Sequence, residues 1–331
     1  MHSGGPVRAP PASEDLAMTG HRIDVHHHIL PPDYVAQVGD GKIAPISVAG
    51  KPPDWTPDRS IEVMDRHGIA TAVTSISAPG FALDDGTAIP RLVRDCNEYA
   101  ARLRSDRPGR FGVFASLPLP DVDASLAEIA YALDDLKADG IGLMTNYDNR
   151  YPGDPAFAPV FDELDRRGAV VYFHPTTASC NVCQPEYPPA TLDFPFDTTR
   201  AITSLLYGGT LARCHDIKWI FSHAGGAVPF LAQRIARLAA RPAYKAMVPK
   251  GVIPELQRLY YDTALSANWL AFRSLFELVA PRQVLFGSDY PFAPEATVEA
   301  SVRGLAEMGL DAAVLRGIER EHALALFPQM A

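Results

Sequence analysis

The chain has 331 residues, 47% of them hydrophobic and 21% charged, a composition that suits a folded protein with a sizeable core. Its formal net charge is −9, and no Lys/Arg run resembles a phosphate-tracking patch, which argues against nucleic-acid binding. No apolar stretch approaches the ~20 residues needed to cross a bilayer, so no membrane association is expected.

Residues 1–20, rich in Pro, Gly, Ala and Ser, lack the apolar segment of a signal peptide and read as a disordered leader. Residues 21–331 then read as one domain of a soluble, cytoplasmic protein. From residue 22 onward strand-like and helical runs alternate. The strands are expected at 22–26, 70–76, 111–117, 140–145, 169–174, 217–222, 258–262 and 283–287. Helical periodicity falls at 57–67, 90–105, 123–138, 156–167, 198–213, 226–239, 268–279 and 295–308. Such alternation argues for a parallel sheet, and strands apolar on both faces argue that the sheet is covered on both. Eight units, with no Gly-rich phosphate loop, favour a closed (β/α)8 TIM barrel over a doubly wound sheet. Residues 29–56 after the first strand and 175–197 after the fifth are long loops, and 240–256 has room for a short extra helix. Loops of that length in a compact domain tend to be lids or binding loops.

Of the four cysteines, Cys96 and Cys214 fall in helical patterns and read as small buried residues. Cys180 and Cys183 form a CxxC with no second pair of ligands, so it reads as an ordinary loop pair rather than a zinc site.

Four strands end in potential metal ligands: IDVHHH (23–28), VVYFHP (170–175), WIFSHAGG (219–226) and VLFGSDYPF (284–292). In a parallel barrel the C-terminal strand ends carry the chemistry. Strand alternation points His26 and His28 to one side and His27 to the other. A lone His at a strand end is usually a satisfied polar residue, but five such positions on C-terminal strand ends point to one metal site. Imidazoles with a carboxylate suit Zn²⁺ first, with Mn²⁺ the alternative. The fourth strand ends GLMTNY, without a Lys or Glu to bridge two metals, so one divalent ion is expected.

The order HxH, His, His, Asp on strands one, five, six and eight resembles the amidohydrolase superfamily. IDVHHHIL, FHP, HAGGAVPF and GSDYPF resemble its aminocarboxymuconate-semialdehyde decarboxylase branch, with YPGDPAFAPVFDELDRRGAVVYFHPT and DFPFDTTRAI most similar to 6-methylsalicylate and isoorotate decarboxylases. The resemblance runs from about residue 21 to 327. It implies His26, His28, His174 and Asp289 as metal ligands and His223 as the active-site histidine beside the metal. It further implies Arg234 as an arginine that reaches the substrate carboxylate of a neighbouring subunit in a homodimer, and Phe292 as an aromatic packed on the substrate ring. The chain departs from the branch in two places. Residues 29–58 hold no Arg and only two lysines, Lys42 and Lys51, of which Lys51 is the candidate cation of the first loop, and His322-Ala323-Leu324 stands where NAL is frequent.

Loss of CO2 from an aromatic acid leaves negative charge on the ring unless the carbon is protonated first. A metal can orient the acid and withdraw charge, and Asp289 can protonate the ring carbon with His223 setting its protonation state. The expected activity is therefore non-oxidative decarboxylation of a small aromatic or heteroaromatic carboxylic acid. Hydrolysis of a lactone or amide by metal-activated water is the alternative, hydration a third use of the same residues, and a non-catalytic metal-binding barrel a fourth reading. Asn146 at the end of the fourth strand and Lys51 are candidate substrate contacts. Arg150 is a further anion candidate, while Arg200 reads as a structural ion-pair partner. Trp55, Phe194, Tyr290 and Phe292 could wall a flat ring.

Overall fold

The computed structural model describes residues 21–178 and 187–331; the leader and the Cys180/Cys183 pair lie outside the described residues. Eight strands form one sheet in sequence order: β1 (Arg22–His28), β2 (Ile69–Ser75), β3 (Phe111–Ser116), β4 (Gly140–Met144), β5 (Val170–His174), β6 (Lys218–Phe221), β7 (Tyr260–Asp262) and β8 (Val284–Leu285). Every neighbouring pair is parallel. The ring is completed beyond β8, where Val25 N donates to Phe286 O (3.0 Å), Asp289 N to His26 O (2.8 Å) and His28 N to Tyr290 O (2.7 Å). The expected (β/α)8 barrel is thus the observed fold.

Two apolar layers hold it. Inside, Ile23, Val25, Val73, Phe114, Val170, Tyr172, Ile220 and Leu285 fill the lumen, and Ala323 and Phe327 of the C-terminal segment close its floor. Outside, the strands' other faces pack on the helices, with Phe173 stacked between Trp219 and Phe221. Small residues make room where layers meet. Gly142 leaves space for Phe114, which stacks on Tyr172 at 5.1 Å.

The connections are more ordered than their sequences suggest. The stretch after β1 carries helices Pro32–Val38 and Asp40–Ile43, because Tyr34, Val38 and Ile43 find buried positions. The loop after β5 ends early, since DFPFD belongs to the helix Asp193–Tyr207 and buries Phe194 and Asp197. Residues 240–256 hold two short helices, Pro242–Met247 and Val252–Gln257. Conversely, the expected last strand shrinks to two residues at Val284–Leu285 because the segment after it bends to complete the ring. No helix among the described residues is long and apolar enough to cross a membrane.

Candidate metal centre

The C-terminal mouth of the barrel gathers the strand-end residues. His26, His174, His223 and Asp289 each offer one ligand atom, and these atoms lie within 4.8 Å of one another. All four are buried. His28 borders them, with Nε2 at 3.0 Å from His26 Nε2 and 3.1 Å from Asp289 Oδ1. Its Nδ1 faces Ser75 Oγ at 3.0 Å, which fixes Nε2 toward the cluster.

The way β1 delivers two histidines is not simple alternation. Ile23 and Val25 face the lumen, so an unbroken strand would turn His27 inward and His26 outward. A register shift between Asp24 and His27 changes the phase. An extra residue of this kind re-aims side chains at barrel rims. His26 and His28 then face the lumen. His27 turns outward, between Asp24 (3.0 Å) and Ser60 Oγ (2.9 Å).

Two further residues of the cluster are aimed by unusual backbone. His223 has φ +54° and Asp289 φ +62°, a left-handed conformation that costs energy for a residue with a side chain. His223 N donates to Asp262 Oδ1 at 2.9 Å, and Asp289 N to the His26 carbonyl, so neighbouring contacts enforce both. Gly287 permits the approach: a Cβ there would stand 2.8 Å from His26 Cβ and 3.1 Å from Asp262 Cβ.

Two buried carboxylates that the motifs did not single out organise the site. Asp262, at the end of β7, accepts from His26 Nδ1 at 2.8 Å, the carboxylate–imidazole arrangement that orients a metal-binding His. Asp24 accepts from His26 N and Ser288 N at 3.0 Å and from Ser288 Oγ at 2.5 Å, tying β1 to the Asp289 segment. Each stands in a buried barrel strand, Asp24 between Ile23 and Val25 and Asp262 after Tyr261, the one signal that could have drawn attention to it.

The electrostatics fit a cation. Burial disfavours a charged His26, but Asp262 and Asp289 outweigh it and push its pKa up to about 10. Burial lowers His28 to about 4 and His174 well below its usual value, so both are neutral donors. Burial alone would raise Asp289, yet His26 and the bonds from His223, His26 and His28 hold it well below the carboxylate range. Both ring nitrogens of His174 and Nδ1 of His223 are buried without a hydrogen-bond partner. Buried polar atoms seldom go unsatisfied, and a divalent ion among them would satisfy several at once.

The other anticipated residues fall in different places. Phe292 packs edge-on against His28 with centroids 5.7 Å apart, and Phe194 likewise against His174 at 5.9 Å. Lys51 is exposed and lines, with Tyr290 and Phe292, a groove of about 410 Å³. Asn146 is engaged within the fold: its amide donates to Asp197 at 2.8 Å and its oxygen accepts from Asn149 N. Trp55 donates to Ser60, and Tyr290 packs on His27 behind the cluster, so neither faces it. Arg150 turns over the Phe157 ring, and Arg200 lies 3.6 Å from Asp197. Arg234 is exposed on helix Val228–Ala236. His322 bonds the Val284 carbonyl on the barrel's underside.

A parallel eight-stranded barrel with clustered imidazoles and a carboxylate at its C-terminal mouth defines a metal-binding (β/α)8 barrel. The chain belongs to the amidohydrolase family, whose profile matches residues 23–329. It is 38% identical to a decarboxylase of Aspergillus niger, covering 93% of this chain and 88% of that one. It is 37% identical to the 6-methylsalicylic acid decarboxylase of Penicillium expansum, covering 93% and 97%. A crystal structure of an amidohydrolase II superposes with a TM-score of 0.85 at 29% identity, covering 93% of this chain and 99% of that one. The decarboxylase branch read from the motifs is borne out.

Proposed function

We propose that the protein is a metal-dependent, non-oxidative decarboxylase of a small aromatic or heteroaromatic carboxylic acid. The observation that carries the reading is the buried cluster of imidazoles around Asp289, joined to 37–38% identity with decarboxylases over nearly the whole chain. Those relatives favour loss of CO2 over hydrolysis.

His26, His28, His174 and Asp289 would hold one divalent ion, Zn²⁺ by preference from the donor set and Mn²⁺ as the alternative. When bound, the ion would supply charge withdrawal and orientation for a carboxylate or an adjacent oxygen. Asp262 keeps the His26 ring in place through Nδ1. Asp289 gives a proton to the ring carbon that bears the carboxylate. The carbon–carboxylate bond then breaks, its electron pair restores the ring, and CO2 leaves. Asp289 rests as a carboxylate, so it must gain that proton as substrate binds, and His223 Nε2, 3.3 Å from Oδ2, is the adjacent group able to deliver it. Phe292, beside His28, offers an aromatic face to the ring. Lys51, at the outer groove, remains a proposed carboxylate contact, and Asn146 a weaker one because its amide is shared with Asp197.

A homodimer in which Arg234 serves the neighbouring site accords with its surroundings. Phe230, one helical turn earlier, is 83% exposed, and Leu270 on the adjoining helix Trp269–Leu278 is 92% exposed. Exposed apolar side chains grouped with an arginine suit self-association.

The test is CO2 release from 6-methylsalicylate, γ-resorcylate and isoorotate by metal-loaded protein, with a lactone panel in parallel. Asp289→Asn should lower the rate about 10²–10⁴-fold. Lactone turnover with no CO2 from any aromatic acid would sink the decarboxylase reading.

A further inference from the structure

A second cavity, of about 390 Å³, opens at the ends of β3 and β4, on the side of the barrel next to the strand that ends in His174. Its walls combine the apolar side chains of Ile46, Phe81, Leu83, Leu117, Leu119 and Met144 with the hydroxyls of Ser116, Thr176 and Thr177. We propose that it is a specificity pocket for an apolar substituent on the ring of the aromatic acid, with Met144 as the residue that sets its depth. The proposal rests on the decarboxylase reading above and names the substrate class more narrowly.

Continuity with the metal site comes from register. Met144 pairs with His174 in the parallel β4–β5 ladder, so both side chains leave the sheet on the lumen side, next to one another. Thr145 N donates to the His174 carbonyl at 3.0 Å, locking that register. Ser116 and Gly142, paired across β3 and β4, also line the cavity, and Gly142 leaves no side chain to close it from the lumen. A ring held near His28 and His174 would therefore direct one edge into this space.

The chemistry of the lining selects the occupant. Among the described residues no Lys, Arg or His lines the cavity, and Asp148 is its one charged group. Asn146 has its amide bound to Asp197. A second carboxylate on the ring would lose its hydration, meet no cation and face Asp148, whereas an alkyl group loses nothing on entering. Each buried methylene is worth about 0.8 kcal/mol, or about fourfold in binding. Met144 limits the depth from the β4 side and lies close over Gly80, where an added Cβ would stand 3.1 Å from its Cγ.

The experiment measures kcat/KM of metal-loaded enzyme for salicylate and its 6-methyl, 6-ethyl, 6-propyl and 6-carboxy derivatives. We expect a rise of about fourfold per added carbon until the pocket is full, and the lowest value for the 6-carboxy acid. Met144→Ala should move the optimum to a longer chain. Leu83→Glu, at the half-buried rim, should flatten the alkyl preference and leaves the inference testable if the Met144 variant fails to fold. A flat alkyl series, or selectivity unchanged in both variants, would overturn the proposal. Calorimetric titration of the metal-loaded protein with 3-propylphenol separates the two readings. If no acid loses CO2 but the phenol binds and Leu83→Glu weakens it, the pocket stands and the reaction falls. If the phenol does not bind, the pocket falls.

Discussion

At the scale of single residues, the site depends on groups that touch the ligands as much as on the ligands. Asp262 holds His26 Nδ1 and also accepts from His223 N and Ala264 N, so one carboxylate fixes two histidines. Asp262→Asn keeps the shape and removes the charge. We expect metal affinity to fall about 10–100-fold, read by competition with a chromophoric chelator; unchanged affinity would show that Asp262 is only structural. The same cluster makes metal binding a proton-linked event. With its pKa pushed up to about 10, His26 is protonated in the metal-free protein at neutral pH and must release that proton to bind through Nε2. About one proton should leave per ion, and Kd should fall about tenfold per pH unit between pH 6 and 8. Calorimetry in two buffers of different ionisation enthalpy measures the release, and a value near zero would contradict this account.

At the scale of elements, the mouth and the floor of the barrel have separate tasks. The mouth is built from irregularities: the shifted register in β1, left-handed residues at His223 and Asp289, and a last strand of two residues that hands over to a bent segment. The floor is a regular apolar seal, in which Phe327 follows the helix His322–Leu326 and packs on Phe114 at 5.8 Å. Phe327→Ala should cost about 3–5 kcal/mol in denaturant unfolding. The folded variant should bind the same amount of metal as the parent, because the cluster lies at the opposite end. Loss of bound metal in the folded variant would show that floor and mouth are coupled. The strands were legible in the sequence because each is a compact apolar run. The helices inside the loop after β1 were not, since their burial depends on partners far along the chain, as when Tyr34 OH donates to Gly80 O.

At the scale of the whole molecule, eight βα units bring residues more than 200 positions apart within hydrogen-bond reach, as with His26 and Asp262. The proposed sharing of sites between subunits also belongs here. Arg234→Ala and His174→Ala, each with little activity alone, should regain about a quarter of the parental activity per site when mixed 1:1 and allowed to exchange subunits, because about half of the dimers are then mixed and each mixed dimer has one of its two sites intact. No recovery in verified mixed dimers would mean that each site is complete within one chain. The sequence by itself determined the barrel and the ligand types, because strand-end His and Asp at βα spacing are local patterns that the parallel fold must collect at one mouth. It also paired His26 with His28, since alternation depends only on neighbouring residues. Only the tertiary structure decided which way that pair faces, because a shift of register against β2 sets the phase. It alone brought Asp24 and Asp262 behind the cluster, turned Asn146 toward Asp197 and left a cavity with apolar walls at the ends of β3 and β4. Each of these follows from contacts between distant segments, which no local pattern of residues encodes.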